Sequence, residues 1–394
     1  MIGGLIQSML ATESEMVKFS KSSILASVVM PIYNCERFLA EAIESILCQK
    51  NIDSNAIEFV IISDALTDNS LNIAKKYQAK DSRIKILEND LNLGIAASLN
   101  KGIDVARGKY IIRMDGDDIS EPLRFSKQIE FMEKNPWCGI CGTAIRIIDS
   151  NGSGSKINFY PQNSDEIEFK MLFDTRFAHP SVIIRKSILD DFGLRYDPSF
   201  LRAQDFELFS RMLQFTKGSN LREPLLKYRV YPQKKLADRI IEFSNKVRKS
   251  NLERIGFDTS LNNWKVDLIN VFVYKKTKIS QHDFDELLNQ CSKIKNIYCV
   301  GREARFVKNF SEFLSDVLLK IIYTRGVKEC DSFQKLSNNF SKVSQNFLGD
   351  KFNLWIGILF YARCLKLVFK EWGPYKIIFF QKKLLLLKSI KFLK

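Results

Sequence analysis

The chain has 394 residues, 45% hydrophobic and 27% charged, an ordinary balance for a folded globular protein and enough length for two domains. Lys and Arg number 60 against 45 Asp and Glu, a formal charge of +15, and residues 351–394 alone hold ten basic residues against one acid, Glu371. These lysines are interleaved with Ile, Phe and Leu runs, which favours a lipid-headgroup surface over nucleic acid as the partner, while eight irregularly spaced cysteines argue against a disulfide framework.

Residues 1–26 read as an N-terminal extension. The opening MIGGLIQSML lacks a basic start and is broken by Gln7 and Ser8, so it is not read as a secretory leader. The uncharged run from Phe352 to Ala362 is too short to span a bilayer. The expectation is a cytoplasmic protein, peripheral on the inner face of the membrane.

From Ser27 the pattern alternates. Residues 27–33 (SVVMPIY) predict a buried strand, and 37–49 a helix with Phe38, Ala42, Ile46 and Leu47 on one face. Strands follow over 57–63, 84–87 and 109–114, with helices over 70–78 and 96–106 between them. This order predicts an α/β domain over 27–235. After a helix over 125–134, Cys138 and Cys141 run into a strand-like GTAIRIID, which predicts buried packing rather than a redox or zinc site. Residues 151–155 form a turn. A helix starting at Asp205 packs Phe206, Leu208, Phe209 and Met212 inward. Beyond about Val230, patterns such as 283–294 and 310–322 predict a smaller α-helical domain over 236–394. Past Gly373-Pro374, Ile377, Phe380, Leu384, Leu387 and Ile390 share one helical stripe that most of the lysines avoid, the pattern of a membrane-surface helix.

The strand ends carry the chemistry. Arg113-Met114-Asp115-Gly116-Asp117-Asp118 closes the fourth strand, the end at which an open parallel sheet binds ligands. Three carboxylates in four residues repel one another unless a cation lies among them, and a hard divalent ion takes oxygen ligands together with substrate phosphates. An acidic turn before a helix is the competing reading. Pro31-Ile32-Tyr33-Asn34 closes the first strand, Ser63-Asp64-Ala65-Leu66-Thr67-Asp68 the second, and Asn92-Leu93-Gly94 follows the third. Tyr33 is placed to pack on a ring and Asp64 to accept from a base or ribose. His179 suits either a substrate-facing or a structural role.

Taken together, PxYN, D-x-x-T-D, NxG and D-x-DD resemble the nucleotide-sugar-binding (GT-A) domain of glycosyltransferase family 2. Three further segments extend the resemblance to about Pro232: His179-Pro180-Ser181, Ala203-Gln204-Asp205 and Tyr228-Arg229. Within the family the chain is similar to enzymes of lipooligosaccharide or capsule synthesis, including β-1,3-N-acetylglucosaminyltransferases. The resemblance implies an inverting hexosyl- or N-acetylhexosaminyltransferase using a UDP-sugar donor and a lipid-linked or oligosaccharide acceptor, with Mn²⁺ or Mg²⁺. It implies donor-binding roles for Pro31, Tyr33, Asn34, Asp64, Arg113, Asp115, Asp117 and Asp118, the metal at Asp117, and Asp205 as general base. Three positions depart from the family pattern. Ser63 and Ala65-Leu66 stand in the usual DDGSTD, Gln204 replaces the acid before Asp205, and Tyr231 stands where many relatives have His. The competing functions are a sugar nucleotidyltransferase, which would need neither Asp205 nor the His179 segment, and a non-catalytic subunit of a glycan-assembly complex.

Overall fold

The computed structural model describes residues 24–231 and 237–260, together with 289, 290, 292–294 and 296. The helical pattern at 310–322, the basic tail and most of 1–26 and 283–294 lie outside these residues.

Seven elements alternate at the start: β1 (Ala26–Ile32), α1 (Glu36–Leu47), β2 (Ile57–Asp64), α2 (Ser70–Gln78), β3 (Ile84–Asn89), α3 (Gly94–Val105) and β4 (Tyr110–Arg113). They are followed by β5 (Ile119–Ser120), α4 (Arg124–Lys134), β6 (Cys138–Ile148), β7 (Ile157–Asn158), α5 (Ser164–Lys170), β8 (Ile183–Arg185), α6 (Lys186–Asp191), α7 (Gln204–Met212), β9 (Lys217–Arg229) and α8 (Ala237–Arg254). Among the described residues the strands form one nine-stranded sheet in the order β3-β2-β1-β4-β8-β6-β9-β5, with β7 beside β6. The β3-β2-β1-β4 half is parallel. β8 then runs antiparallel to both β4 and β6, and β5 antiparallel to β9.

Both faces of the parallel half are covered, as its continuous apolar strands require. Val28, Met30 and Ile32 of β1 pack with Leu39, Ala42, Ile43 and Ile46 of α1 on one face. Val29 packs with Val60, Ile62 and Leu99 of α3 on the other. A Cβ at Gly102 of α3 would lie 2.5 Å from Cγ1 of Val29, so glycine here lets the helix sit close on the sheet. Cys138 and Cys141 are fully buried in β6, as their apolar setting predicts. Burial pushes the Cys138 thiol up to about 12 and Cys141 well above its usual range. α3 begins two residues before the predicted start because a distant side chain, the carboxylate of Asp64, accepts hydrogen bonds from the backbone N–H groups of Leu93 and Gly94 at 2.8 and 2.9 Å.

At the amino ends of the strands Glu58 is 2% exposed. Burial alone would raise its pKa, but hydrogen bonds from Ser27, the Arg107 backbone and side chain, and Lys85 outweigh it and hold the carboxyl at about 2. A depressed folded-state pKa gives stability that is complete above the unfolded value and lost as pH falls through the folded one. Glu58→Gln is therefore expected to cost about 3 kcal/mol near neutrality and to flatten the loss of stability between pH 4.5 and 2. Denaturant melts of both proteins across that range check it.

By internal packing the chain divides into Met1–Met171 with Thr175–Val247, and Leu172–Asp174 with Arg248–Lys394. Within the second unit Arg248 Nε donates to the Phe173 carbonyl at 2.6 Å. Among the described residues no helix is long and apolar enough to cross a membrane.

Candidate active site

A cavity of about 1050 Å³ opens at the carboxyl ends of β1, β2 and β4. Pro31, Tyr33, Asn34, Asp64, Asp115 and Asp117 all line it. Tyr33 presents an open ring, 54% exposed. Asn34 ties the end of β1 to the loop after β2: its Nδ2 donates to Thr67 Oγ1 at 2.8 Å and its Oδ1 accepts from the Thr67 N–H at 2.9 Å. Asp68 accepts from the backbone N–H groups of Glu36 and Ser70, which open α1 and α2. Asp64 is almost fully buried, and besides α3 it accepts from Asn89 Nδ2 at 2.9 Å. Its carboxylate thus joins β2, β3 and α3 at the cavity wall.

The departure at Ala65 keeps the turn that glycine would make. Ala65 has φ +52°, a left-handed conformation that costs a Cβ-bearing residue about 1 kcal/mol. Asn34 (φ +46°) and Ala203 (φ +57°) are held the same way, so backbone strain gathers around the cavity. Ala65→Gly is expected to stabilise the fold by no more than about 0.5 kcal/mol, the relief of strain being largely offset by a freer unfolded chain. Chemical denaturation of the pair measures this directly.

Asp115, Asp117 and Asp118 each bring a carboxylate oxygen within 4.8 Å of the other two. They do not share one environment. Asp115 is paired with Arg113 at 2.5 Å, a close charge contact rather than an aligned hydrogen bond. Asp117 Oδ2 accepts from the Tyr231 hydroxyl at 2.8 Å. Asp118 is 1% exposed, and its Oδ1 accepts from the Arg229 N–H at 2.8 Å, while its Oδ2 is buried without a hydrogen-bond partner. Burial first, and then repulsion from Asp115, raises Asp117 above the usual carboxylate range; the same causes, with Asp117 added, raise Asp118 well above it. Three clustered oxygen donors, one orphaned in the interior, fit a hard divalent cation.

Arg113 and Asp118 stand behind the cavity wall rather than on it. Arg113 is 2% exposed and directs its charge at Asp115. Below it lies Arg124, fully buried, which donates from Nη2 to the Arg113 carbonyl at 2.8 Å and from Nε to Gln128 at 3.0 Å. Burial lowers its pKa to about 9. Arg229 locks the loop from the other side. It donates from Nε to the Asp117 carbonyl at 2.8 Å, from Nη1 to the Asp149 carbonyl and from Nη2 to Glu41, and it lies 4.2 Å over the ring of Phe38. Sequence reasoning assigned no role to Arg124 or Arg229. The Tyr228-Arg229 pair is visible in the sequence, but the partners of Arg229 come from three separate segments, α1, the Asp117-Asp118 loop and Asp149, and Arg124 has no local signal at all.

The far wall is built from residues 198–204 and the start of α8, including Phe200, Arg202, Gln204 and Arg239. Asp205 follows Gln204 in the first turn of α7, partly buried, with Phe206, Leu208, Phe209 and Met212 anchoring the helix in the core. Its charge reaches Tyr196, whose hydroxyl is 2.8 Å from His179 Nε2. Burial, then the cation of Arg113, keeps His179 neutral. His179 does not line the cavity; it packs against Tyr196 and Phe209.

Comparison with known proteins agrees with this geometry. Residues 27–193 match the family profile described as glycosyl transferase family 2. The chain is 40% identical over 208 residues to the putative glycosyltransferase EpsE of Bacillus subtilis, covering 52% of this chain and 72% of that protein. It is 34% identical over 215 residues to the O-antigen biosynthesis glycosyltransferase WbnJ of Escherichia coli, covering 52% of this chain and 80% of the relative. In fold it is similar to the crystal structure of S. aureus TarS 1-349 in complex with UDP-GlcNAc, with a TM-score of 0.51 at 15% identity over 82% of this chain and 90% of that one.

Proposed function

Because this chain belongs to glycosyltransferase family 2 and is a glycosyltransferase, we propose that it transfers a hexose or N-acetylhexosamine from a UDP-sugar, with inversion, to a hydroxyl of a growing surface glycan. The observation that carries this reading is one cavity lined by Tyr33, Asp64, Asp115 and Asp117 on one side and by the segment leading into Asp205 on the other. Relatives named for O-antigen and amylovoran biosynthesis support the class of product, and a fold neighbour solved with UDP-GlcNAc supports the class of donor.

In this reading Tyr33 packs on the uracil ring and Asp64 accepts from the nucleoside. Asp117, with Asp115 and Asp118, would hold Mn²⁺ or Mg²⁺, which supplies charge neutralisation on the departing diphosphate. Arg113, Arg124 and Arg229 fix the acidic loop so that little reorganisation is needed when charge develops. Asp205 takes the proton from the acceptor hydroxyl as that oxygen attacks the anomeric carbon, one base sufficing for a single displacement. The basic tail, outside the described residues, would bring the cavity to a lipid-linked acceptor at the inner face of the membrane.

The test is incubation of the purified protein with a panel of nucleotide sugars, with Mn²⁺ or Mg²⁺ and with EDTA. Release of UDP from one or a few donors, dependent on the cation, and an inverted anomeric configuration in the product by NMR are expected. With pyrophosphate added, conversion of a nucleotide sugar to nucleoside triphosphate and sugar phosphate would favour the nucleotidyltransferase instead, and no turnover of any donor the non-catalytic subunit.

A further inference from the structure

The cavity is sorted by charge. Its strand-end side carries five carboxylates, Glu36, Asp64, Asp68, Asp115 and Asp117, against one guanidinium, Arg37, which donates to the Ser150 carbonyl at 3.3 Å, whereas residues 198–204 and the start of α8 contribute no carboxylate to the lining but two guanidiniums, Arg202 and Arg239. These belong to one wall. The ring of Phe200, two residues before Arg202, packs at 5.9 Å from that of Phe243, one helical turn after Arg239 on α8. Arg202 gives one N–H to the neighbouring Leu201 carbonyl at 3.0 Å. Neither guanidinium meets a carboxylate among the described residues, unlike Arg195, Arg211 and Arg229, which are all ion-paired. Two like charges facing a shared cavity without a counter-ion repel each other, and a planar guanidinium matches a phosphate or carboxylate in a bidentate fashion.

We infer that Arg202 and Arg239 form an anion-holding wall, and that the acceptor carries a phosphate or carboxylate beside the hydroxyl that is glycosylated. This rests on the transferase reading above, since the wall runs directly into Asp205 through Gln204. The exposed Leu201 and the lining Phe200 add an apolar contact for the neutral part of such an acceptor. The donor diphosphate is the other anion that enters this cavity, and its place is with the cation on the aspartate side.

The experiment uses the full chain, Mg²⁺ and two probes, UDP and inorganic phosphate, by isothermal titration, with Arg202→Gln, Arg239→Gln and the double variant. Phosphate is titrated with and without saturating UDP. The intact protein is expected to bind phosphate in both states, and the double variant to bind it at least about tenfold more weakly, the effect of losing a charge-assisted hydrogen bond. UDP affinity is expected to stay within about twofold. Two results would overturn the inference: no phosphate binding to the UDP-loaded protein, or a tenfold loss of UDP affinity in the variants with phosphate binding unchanged. If UDP itself fails to bind while the arginine-dependent phosphate site persists, the donor assignment falls and the anion wall stands. Arg202→Lys, which keeps the charge and loses the fork, is expected to recover part of the phosphate affinity, whereas a merely folding-related effect would leave it as weak as Gln.

Discussion

Replacing Asp117 with Ala is expected to lower turnover by about 10³-fold or more and to abolish the response to added Mn²⁺ or Mg²⁺, since a bound cation supplies several kcal/mol of charge stabilisation. Asp117 lines the cavity, and it lies within 4.8 Å of Asp115 and Asp118. Without a cation its carboxyl is raised above the ordinary range by burial and by Asp115. A carboxyl whose folded-state pKa is raised costs stability wherever it is ionised, and the cost fades as pH falls through that pKa. Removing it therefore relieves repulsion, so the melting temperature of the cation-free variant should hold or rise while activity collapses. Nucleotide-sugar turnover, cation titration and thermal melts on the same preparations separate the two effects. Full turnover in the variant, or of the unaltered protein in excess EDTA, would remove Asp117 from the mechanism.

Asp205→Asn is expected to leave UDP affinity within about twofold and to reduce turnover by about 10² to 10⁴, the scale of a lost general base. Asparagine preserves the volume of the side chain and its capacity to accept at the start of α7, so the helix and its buried Phe206, Leu208, Phe209 and Met212 are undisturbed. Tyr196, which feels the Asp205 charge, loses a neighbouring anion, but its hydrogen-bonded contact with His179 remains. Turnover at saturating donor, compared with UDP binding by titration, isolates the chemical step. Near-normal turnover would leave Asp205 a structural residue of the first turn of α7.

The sequence by itself determined the alternation of strands and helices, because continuous apolar runs and periodic helix faces are local properties of the chain. The predicted bounds of α2 match those in the structure, and α1 and β2 lie within about two residues of theirs. It also determined that Pro31, Tyr33, Asn34, Asp64, Asp115 and Asp117 would meet, since parallel strands bring their carboxyl ends to one edge, and all six line a single cavity. What it could not determine was depth. Asp115, Asp117 and Asp118 are near neighbours in sequence, yet only Asp115 and Asp117 reach the cavity, while Asp118 is buried against the backbone of Arg229, 111 residues away. Arg113 reads as a ligand residue beside its aspartates, yet its side chain is buried, with its charge directed at Asp115 and felt by His179 and Tyr196, which lie far along the chain. The left-handed turn at Ala65 and the early start of α3 have the same origin. Each is set by side chains that become neighbours only when β1, β2 and β3 are laid side by side, which long-range hydrogen bonding and core packing decide and local residue preference does not.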